Sequence, residues 1–112
     1  MIRKFVPNSS IAKIIRANVQ HHSFGDSGEC VAIVSFDYDI RLKPALDMAY
    51  FLTQTIDHPW WNNENVKMVG SAKLAGGCRS TSIGDRIEIE MDDGTTELYG
   101  VDYIGFSRIL ET

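Results

Sequence analysis

A chain of 112 residues, 44% hydrophobic and 23% charged, is long enough to close one core without disulfides or metals, which argues for a single domain over 1–112 and against disorder. Its formal net charge of −4 excludes a general DNA-coating role, because phosphate binding needs a cationic face. Cys30 and Cys78 form neither a disulfide framework nor a C-x-x-C pair, so both are expected as reduced thiols.

In chain order, residues 2–6 read as a short strand ending at the turn formers Pro7-Asn8-Ser9-Ser10. The segment 11–20 is open to two readings: Ile11, Ile14, Ile15 and Val19 fit a helical stripe with Ser10 as N-cap, yet their β-branching suits a strand. The loop formers Gly25-Asp26-Ser27-Gly28 favour a hairpin into the next segment. The run Cys30-Val31-Ala32-Ile33-Val34-Ser35-Phe36 is too apolar for an edge and predicts a central strand. Pro44 suits a first helical turn, and Leu42, Ala45, Leu46, Ala49, Leu52, Thr53 and Ile56 share one face, which predicts the main helix over about 43–56. Met48 and Phe51 fall off that stripe and are expected under a loop, with a partner-binding patch as the alternative.

Asp57-His58-Pro59 ends the helix, since the residue before a proline avoids helical backbone angles. A loop containing Trp60 and Trp61 follows, then a short strand at 66–69 and a glycine-rich, lysine-bearing connection at 70–77. Ile87, Ile89 and Met91 alternate with Arg86, Glu88 and Glu90, the pattern of a half-buried strand. Asp93-Gly94 supplies a tight turn into a partner strand at 96–101, and 105–109 closes the sheet. The fold class expected is α+β: a small, mostly antiparallel sheet with one main helix packed on it.

Unusual residues cluster in Gly76-Gly77-Cys78-Arg79-Ser80-Thr81-Ser82-Ile83-Gly84-Asp85. The glycines could turn backbone N–H groups inward while Arg79 and three hydroxyls add donors, as in an anion cradle. The segment lacks the G-x-x-x-x-G-K-[ST] order of a nucleotide P-loop, and Cys78 next to Arg79 fails the spacing of a cysteine phosphatase. The plain alternative is that the hydroxyls cap turns and Arg79 pairs with a carboxylate such as Asp85. Of Trp60 and Trp61, one is expected as a core plug and the other near Arg79, where the two could sandwich a guest. The expected ligand-binding set is therefore Trp60, Trp61, Arg79, Ser80, Thr81, Ser82 and Asp85, with no catalytic residue assigned.

His21, His22 and His58 show no metal-ligand spacing, so no metal or cofactor is expected. Residues 1–24 carry Arg3, Lys4, Lys13 and Arg16 without an acid, whereas Asp85, Glu88, Glu90, Asp92, Asp93, Glu97 and Asp102 crowd the terminal hairpin. A solvated sheet face explains those acids most simply; an acidic nucleic-acid mimic is the sharper reading. The N-terminus has no apolar signal-peptide region and no run has the length of a membrane span, so a cytoplasmic location is expected.

The segment 49–61, then Val66, Arg79-Ser80-Thr81-Ser82-Ile83-Gly84-Asp85 and Tyr103-Ile104-Gly105-Phe106, resembles a family of small, mostly uncharacterised proteins encoded by bacteriophages and bacterial plasmids. Members share a helix ending in Leu-Thr-Asn/Gln, a Trp-containing loop, an Arg-Ser-Thr-Ser-x-Gly-Asp stretch and a closing Gly-Phe. This chain matches over roughly 43–109 and departs at Phe51, where the family often has Arg. The resemblance implies a mobile-element accessory protein and carries over no reaction.

The function expected is a phage- or plasmid-encoded binding protein that inhibits a bacterial host or defence protein, or sequesters a small anionic ligand. No direct nucleic-acid or membrane binding is expected, and homo-oligomerisation is left open. The alternative is a small enzyme acting on a phosphorylated or nucleotide substrate, with Arg79 stabilising charge and Asp85 or His58 as acid–base.

Overall fold

The computed structural model describes residues 12–110, so the expected strand at 2–6 lies outside the described residues. Six strands form one antiparallel sheet: β1 (Ile14–His21), β2 (Glu29–Ser35), β3 (Val66–Met68), β4 (Arg86–Met91), β5 (Thr96–Val101) and β6 (Phe106–Ile109), in the order β3-β2-β1-β4-β5-β6. The main helix is α1 (Leu42–Leu52), and a second, shorter helix, α2 (Gly70–Ala75), occupies part of the expected connection. The fold is α+β, as the sequence predicts.

The ambiguous segment is strand β1, and it lies in the middle of the sheet between β2 and β4. Its β-branched residues serve the pleat: Val19 is fully buried opposite Ala32 on one side and Ile87 on the other. A bulge between Val19 and Gln20 shifts the β1–β2 register. Together with a left-handed Phe24 (φ 59°), it shapes the turn that brings the chain back into β2.

One face of the sheet carries α1. Ala17, Val19, Ala32, Val34, Ile87 and Ile89 from the strands are buried together with Ala45, Leu46 and Ala49 from the helix. The alanines on both sides let the helix lie close, and each fully buried branched side chain contributes roughly 1.5–3 kcal/mol. On the other face, Asn18 Nδ2 donates to Glu88 (3.1 Å), and Arg16 lies 3.1 Å from Glu90. Glu97 instead bonds to the Tyr99 hydroxyl (2.7 Å), and Asp85 is interior. The acids of the terminal hairpin therefore form no single surface, and the geometry lends the nucleic-acid mimic no support.

The helix stops four residues earlier than its stripe predicts. Its last carbonyls are taken by side chains: Thr53 Oγ1 donates to Ala49 O (2.8 Å), Gln54 Nε2 to Tyr50 O (3.0 Å) and Asn63 Nδ2 to Leu52 O (2.8 Å). Thr53 O accepts from the Thr81 N–H at 3.1 Å instead of continuing the helix. Ile56 is consequently left on the surface, not in the core.

The expected connection at 70–77 is helical because Ser71-Ala72-Lys73-Leu74-Ala75 contains good helix formers and because Glu29 accepts from the Ser71 N–H (3.0 Å) and hydroxyl (2.5 Å). Gly76, at φ 80°, ends it: Gly76 N–H bonds to Lys73 O and Gly77 N–H to Ala72 O, a Schellman closure.

Candidate functional site

The stretch from Gly76 to Asp85 crosses from α2 to β4 and is tied inward along most of its length. Asp85, fully buried immediately before β4, accepts five hydrogen bonds. Oδ1 takes the His22 N–H (2.7 Å), the Ser23 N–H (2.9 Å) and Arg79 Nη2 (2.9 Å). Oδ2 takes Arg79 Nη1 (2.7 Å) and the Ser82 N–H (2.7 Å). Burial alone would raise this carboxyl's pKa, but the guanidinium and the three backbone donors outweigh it and hold it at about 2.

Arg79 is equally occupied. Its three remaining N–H groups donate to Asp26 Oδ2 (3.0 Å), Ser80 O (2.9 Å) and Ser23 O (3.2 Å), so all five donors have partners. This corrects the anion-cradle expectation: the pairing alternative is the one observed, and no guanidinium N–H is left for a guest. Because Asp85 has no water to solvate it, the chain folds its donors around that carboxylate.

The other expected site residues follow the same inward logic. Trp60 is wholly buried, and its indole N–H is shared between Cys78 O and Arg79 O at 3.2 Å each. Trp61 is half-buried, edge-on to Trp60 at 5.3 Å between centroids, and lies against Gly77 so closely that a Cβ there would overlap its ring. The ring over Arg79 is Phe24, 4.9 Å from the guanidinium carbon, so the expected indole–guanidinium pair is replaced by a phenyl one. Ser80 Oγ accepts from the Thr55 N–H (2.9 Å), and Thr81 is buried with its hydroxyl 2.7 Å from that of Thr53. The structure thus gathers Trp60, Arg79 and residues 80–85 in one place but turns Trp60, Thr81 and Asp85 away from solvent.

The acid–base roles considered for Asp85 and His58 fare no better. A carboxyl with a pKa near 2 and five donors has no proton to give near neutrality. The His58 ring bonds to Asn63 Oδ1 at 2.8 Å. Among the described residues, no group of three or more His, Cys, Asp or Glu side chains is placed to hold a metal.

Comparison with protein-family models, with curated proteins and with solved structures found no match to the chain. The fold brings together two features that sequence separation conceals.

The first is an apolar pole. Four segments meet at one end of the sheet: Ser23 Oγ bonds to Ile83 O, Gly84 N–H to Val101 O (2.9 Å), Arg79 Nη2 to Ser23 O, and Thr81 N–H to Thr53 O. That end exposes Phe24 (79%), Ile83, Tyr103 (92%) and Ile104 (94%), with Phe51 and Ile56 at the neighbouring helix exit. Phe51, expected under a loop, is instead exposed, because among the described residues no loop crosses it; the others read in the sequence as ordinary turn or helix residues. Exposed apolar side chains in a turn were the available signal, but the shared location is tertiary.

The second is a cleft of about 240 Å³ between the β1–β2 turn and α2, lined among others by His21, Asp26, Glu29, Ser71 and Cys78. Cys78 Sγ lies 3.9 Å from His21 Nδ1, and His21 Nε2 lies 3.1 Å from Thr81 Oγ1. Burial pushes the Cys78 thiol up, opposed by Arg79, and pushes the His21 imidazole down, opposed by Asp85, so both groups rest neutral near pH 7. No sequence motif links residues 21 and 78.

Proposed function

We propose that this chain is a protein-binding module, an accessory protein of a bacteriophage or plasmid that works in the cytoplasm of a bacterial host and engages a host or defence protein through its apolar pole. One observation carries the reading: Phe24, Ile83, Tyr103 and Ile104, from three different loops, are exposed at one end whose backbone is already fixed by hydrogen bonds. Such a surface loses little conformational entropy on docking, and exposed aromatic and aliphatic side chains on rigid loops are what binding hot spots are made of. Elsewhere on the described surface, large apolar side chains such as Leu74 are explained singly.

The chain's net charge of −4, with Asp26 and Asp102 beside the pole, favours a partner whose contacting surface is basic. Sequestration of a small anion is the weaker reading, since every Arg79 donor is occupied internally.

The test is affinity capture from bacterial lysate with the wild-type chain, with the double variant Tyr103→Ser/Ile104→Ser, and with Leu74→Ser as a control. A partner recovered with wild type and with Leu74→Ser, and lost with the double variant, is expected. The loss should amount to about 2 kcal/mol or more per anchor, the scale of hot-spot residues. Equal recovery with all three would reject the pole.

A further inference from the structure

We propose that Cys78 and His21 form a nucleophile–base pair that hydrolyses small acyl esters and thioesters, preferring those with a cationic group, in the cleft between the β1–β2 turn and α2. This stands apart from the apolar side chains of the protein-binding pole and shares with its surroundings only Asp26.

The hydrogen-bond directions decide the chemistry. Thr53 Oγ1 donates its only proton toward Ala49 O (2.8 Å), so in the Thr53–Thr81 contact at 2.7 Å the Thr81 hydroxyl is the donor. Thr81 Oγ1 can then only accept from the His21 ring, which puts the ring proton on Nε2. His21 is neutral and has one ring proton, so the bare nitrogen is Nδ1, the atom 3.9 Å from Cys78 Sγ. An unprotonated imidazole nitrogen beside the thiol, on a ring held by a third group, gives the thiol's proton a place to go when sulfur attacks.

Placement reinforces this. The thiol follows a Schellman turn whose second glycine is pinned under Trp61, and the Trp60 indole N–H holds the Cys78 carbonyl at 3.2 Å. The Cys78 backbone is thus fixed at the cleft wall; the thiol donates to Arg79 O at 3.6 Å and must turn from that carbonyl to give its proton to His21 Nδ1.

The substrate class follows from the lining. The cleft, at about 240 Å³, holds only a small acyl compound; of its two carboxylates Asp26 is paired with Arg79 at 3.0 Å, so Glu29 is the one that sets the charge preference. A cationic or uncharged substrate is accepted there and an anionic one repelled.

The step balances without a co-reactant other than water. The S–H proton passes to His21 Nδ1 as sulfur attacks the acyl carbon; the S–C bond forms, the C–O or C–S bond to the leaving group breaks, and the leaving alcohol or thiol takes the proton back from the imidazolium. Water then gives its proton to Nδ1 and attacks the thioester, releasing the acid and returning the proton to Cys78. Thr81 touches no reacting atom and is a positioning residue.

The experiment treats the wild-type chain with 4-nitrophenyl acetate and maps the acetyl group by peptide mass. Turnover is then compared between acetylthiocholine, which is cationic, and S-acetylmercaptosuccinate, which is anionic. Acetylation of Cys78 ahead of Cys30 is expected, kept in Cys30→Ser, lost in Cys78→Ser, and slowed by roughly 10²–10⁴-fold in His21→Gln, the usual worth of a general base. Acetylthiocholine should turn over faster. Since His21 is buried and its variant can fail to fold, the wild-type acetylation rate is also followed against pH. A plateau near neutrality marks the imidazole, whereas a rate climbing tenfold per unit toward an ordinary thiol value of about 8.5 overturns the pair. Acetyl on Cys30 as fast as on Cys78, or none on Cys78, overturns the site.

Discussion

Arg79 Nη1 and Nη2 grip the two oxygens of Asp85 at 2.7 and 2.9 Å, a fork-to-fork pair closed between residues six apart in the chain. The carboxylate is wholly buried and the arginine side chain 26% exposed, so the pair joins the interior to the surface. Three backbone N–H groups from two separate loops complete the carboxylate's shell, which makes Asp85 the node where the β1–β2 turn, the 76–85 crossing and β4 are held together.

That shell predicts unequal losses. Asp85→Ala leaves two guanidinium N–H groups and three backbone N–H groups without their acceptor and should destabilise by about 3–5 kcal/mol, the range for breaking a buried ion pair from one side. Arg79→Ala leaves the carboxylate its three backbone donors and should cost less. Urea denaturation of both variants checks the order; equal losses would mean that the backbone donors contribute nothing.

Acid should act on the same node. The folded-state pKa of Asp85 lies at about 2 against an ordinary 3.8, so the unfolded chain binds the proton first as pH falls. The associated stability, about 2 kcal/mol, is complete above the unfolded value and disappears as pH drops through the folded one, between roughly pH 5 and 2. Urea midpoints across that window should fall in the wild type, with a shallower fall in Asp85→Asn.

A second pH effect should lie nearer neutrality. Burial lowers His21 below its ordinary 6.5, with Asp85 in partial opposition, and His22 is lowered by burial and then by Arg86. Because the unfolded chain protonates these rings first, their stability contribution is full above about pH 6.5 and declines as pH falls toward the folded values. The thermal midpoint should therefore rise from about pH 5.5 to 7.5. His21→Gln, where folded, should flatten the rise, and a wild-type midpoint that does not move would contradict it.

The tryptophans should separate by burial. Trp60→Ala removes a wholly buried indole and the donor that holds Cys78 O and Arg79 O, and should destabilise by about 3–5 kcal/mol. Trp61→Ala, at a half-buried site, should cost less. Gly77→Ala combines a φ of 148° with overlap of the Trp61 ring, and a loss of about 1–3 kcal/mol is expected. Thermal unfolding of the three variants tests the ranking.

The strand and helix periods were readable along the chain because they are local. Alternation of Ile87, Ile89 and Met91 marked β4, the continuous apolar run marked β2, and the stripe from Leu42 to Thr53 marked α1. Where the reading went astray, a distant residue had intervened: the helix ends early because Asn63 and Thr81 take over its terminal bonding, and 70–75 is helical with Glu29 as its cap. The candidate site was legible as a place and misread as a function. Its donors and the Asp85 carboxylate were visible in order. Asp26 and the Ser23 carbonyl, which take further Arg79 N–H groups, lie instead on the β1–β2 turn, as do the His22 and Ser23 N–H groups that complete the carboxylate's shell.

By itself, then, the sequence determined the α+β class, the strands from β2 to β6 and the position of the main helix, since hydrophobic period and turn chemistry act over a few residues, while β1 was settled only by its place between β2 and β4. Only the tertiary structure decided that Arg79 faces inward to Asp85, that four loop residues form one apolar pole, and that His21 meets Cys78. The Arg79–Asp85 pair spans only six residues, but the turn that closes over it, the pole and the His21–Cys78 contact join segments far apart in the chain. The buried pair is kept by the need to give every buried charge and polar atom a partner once the core has closed.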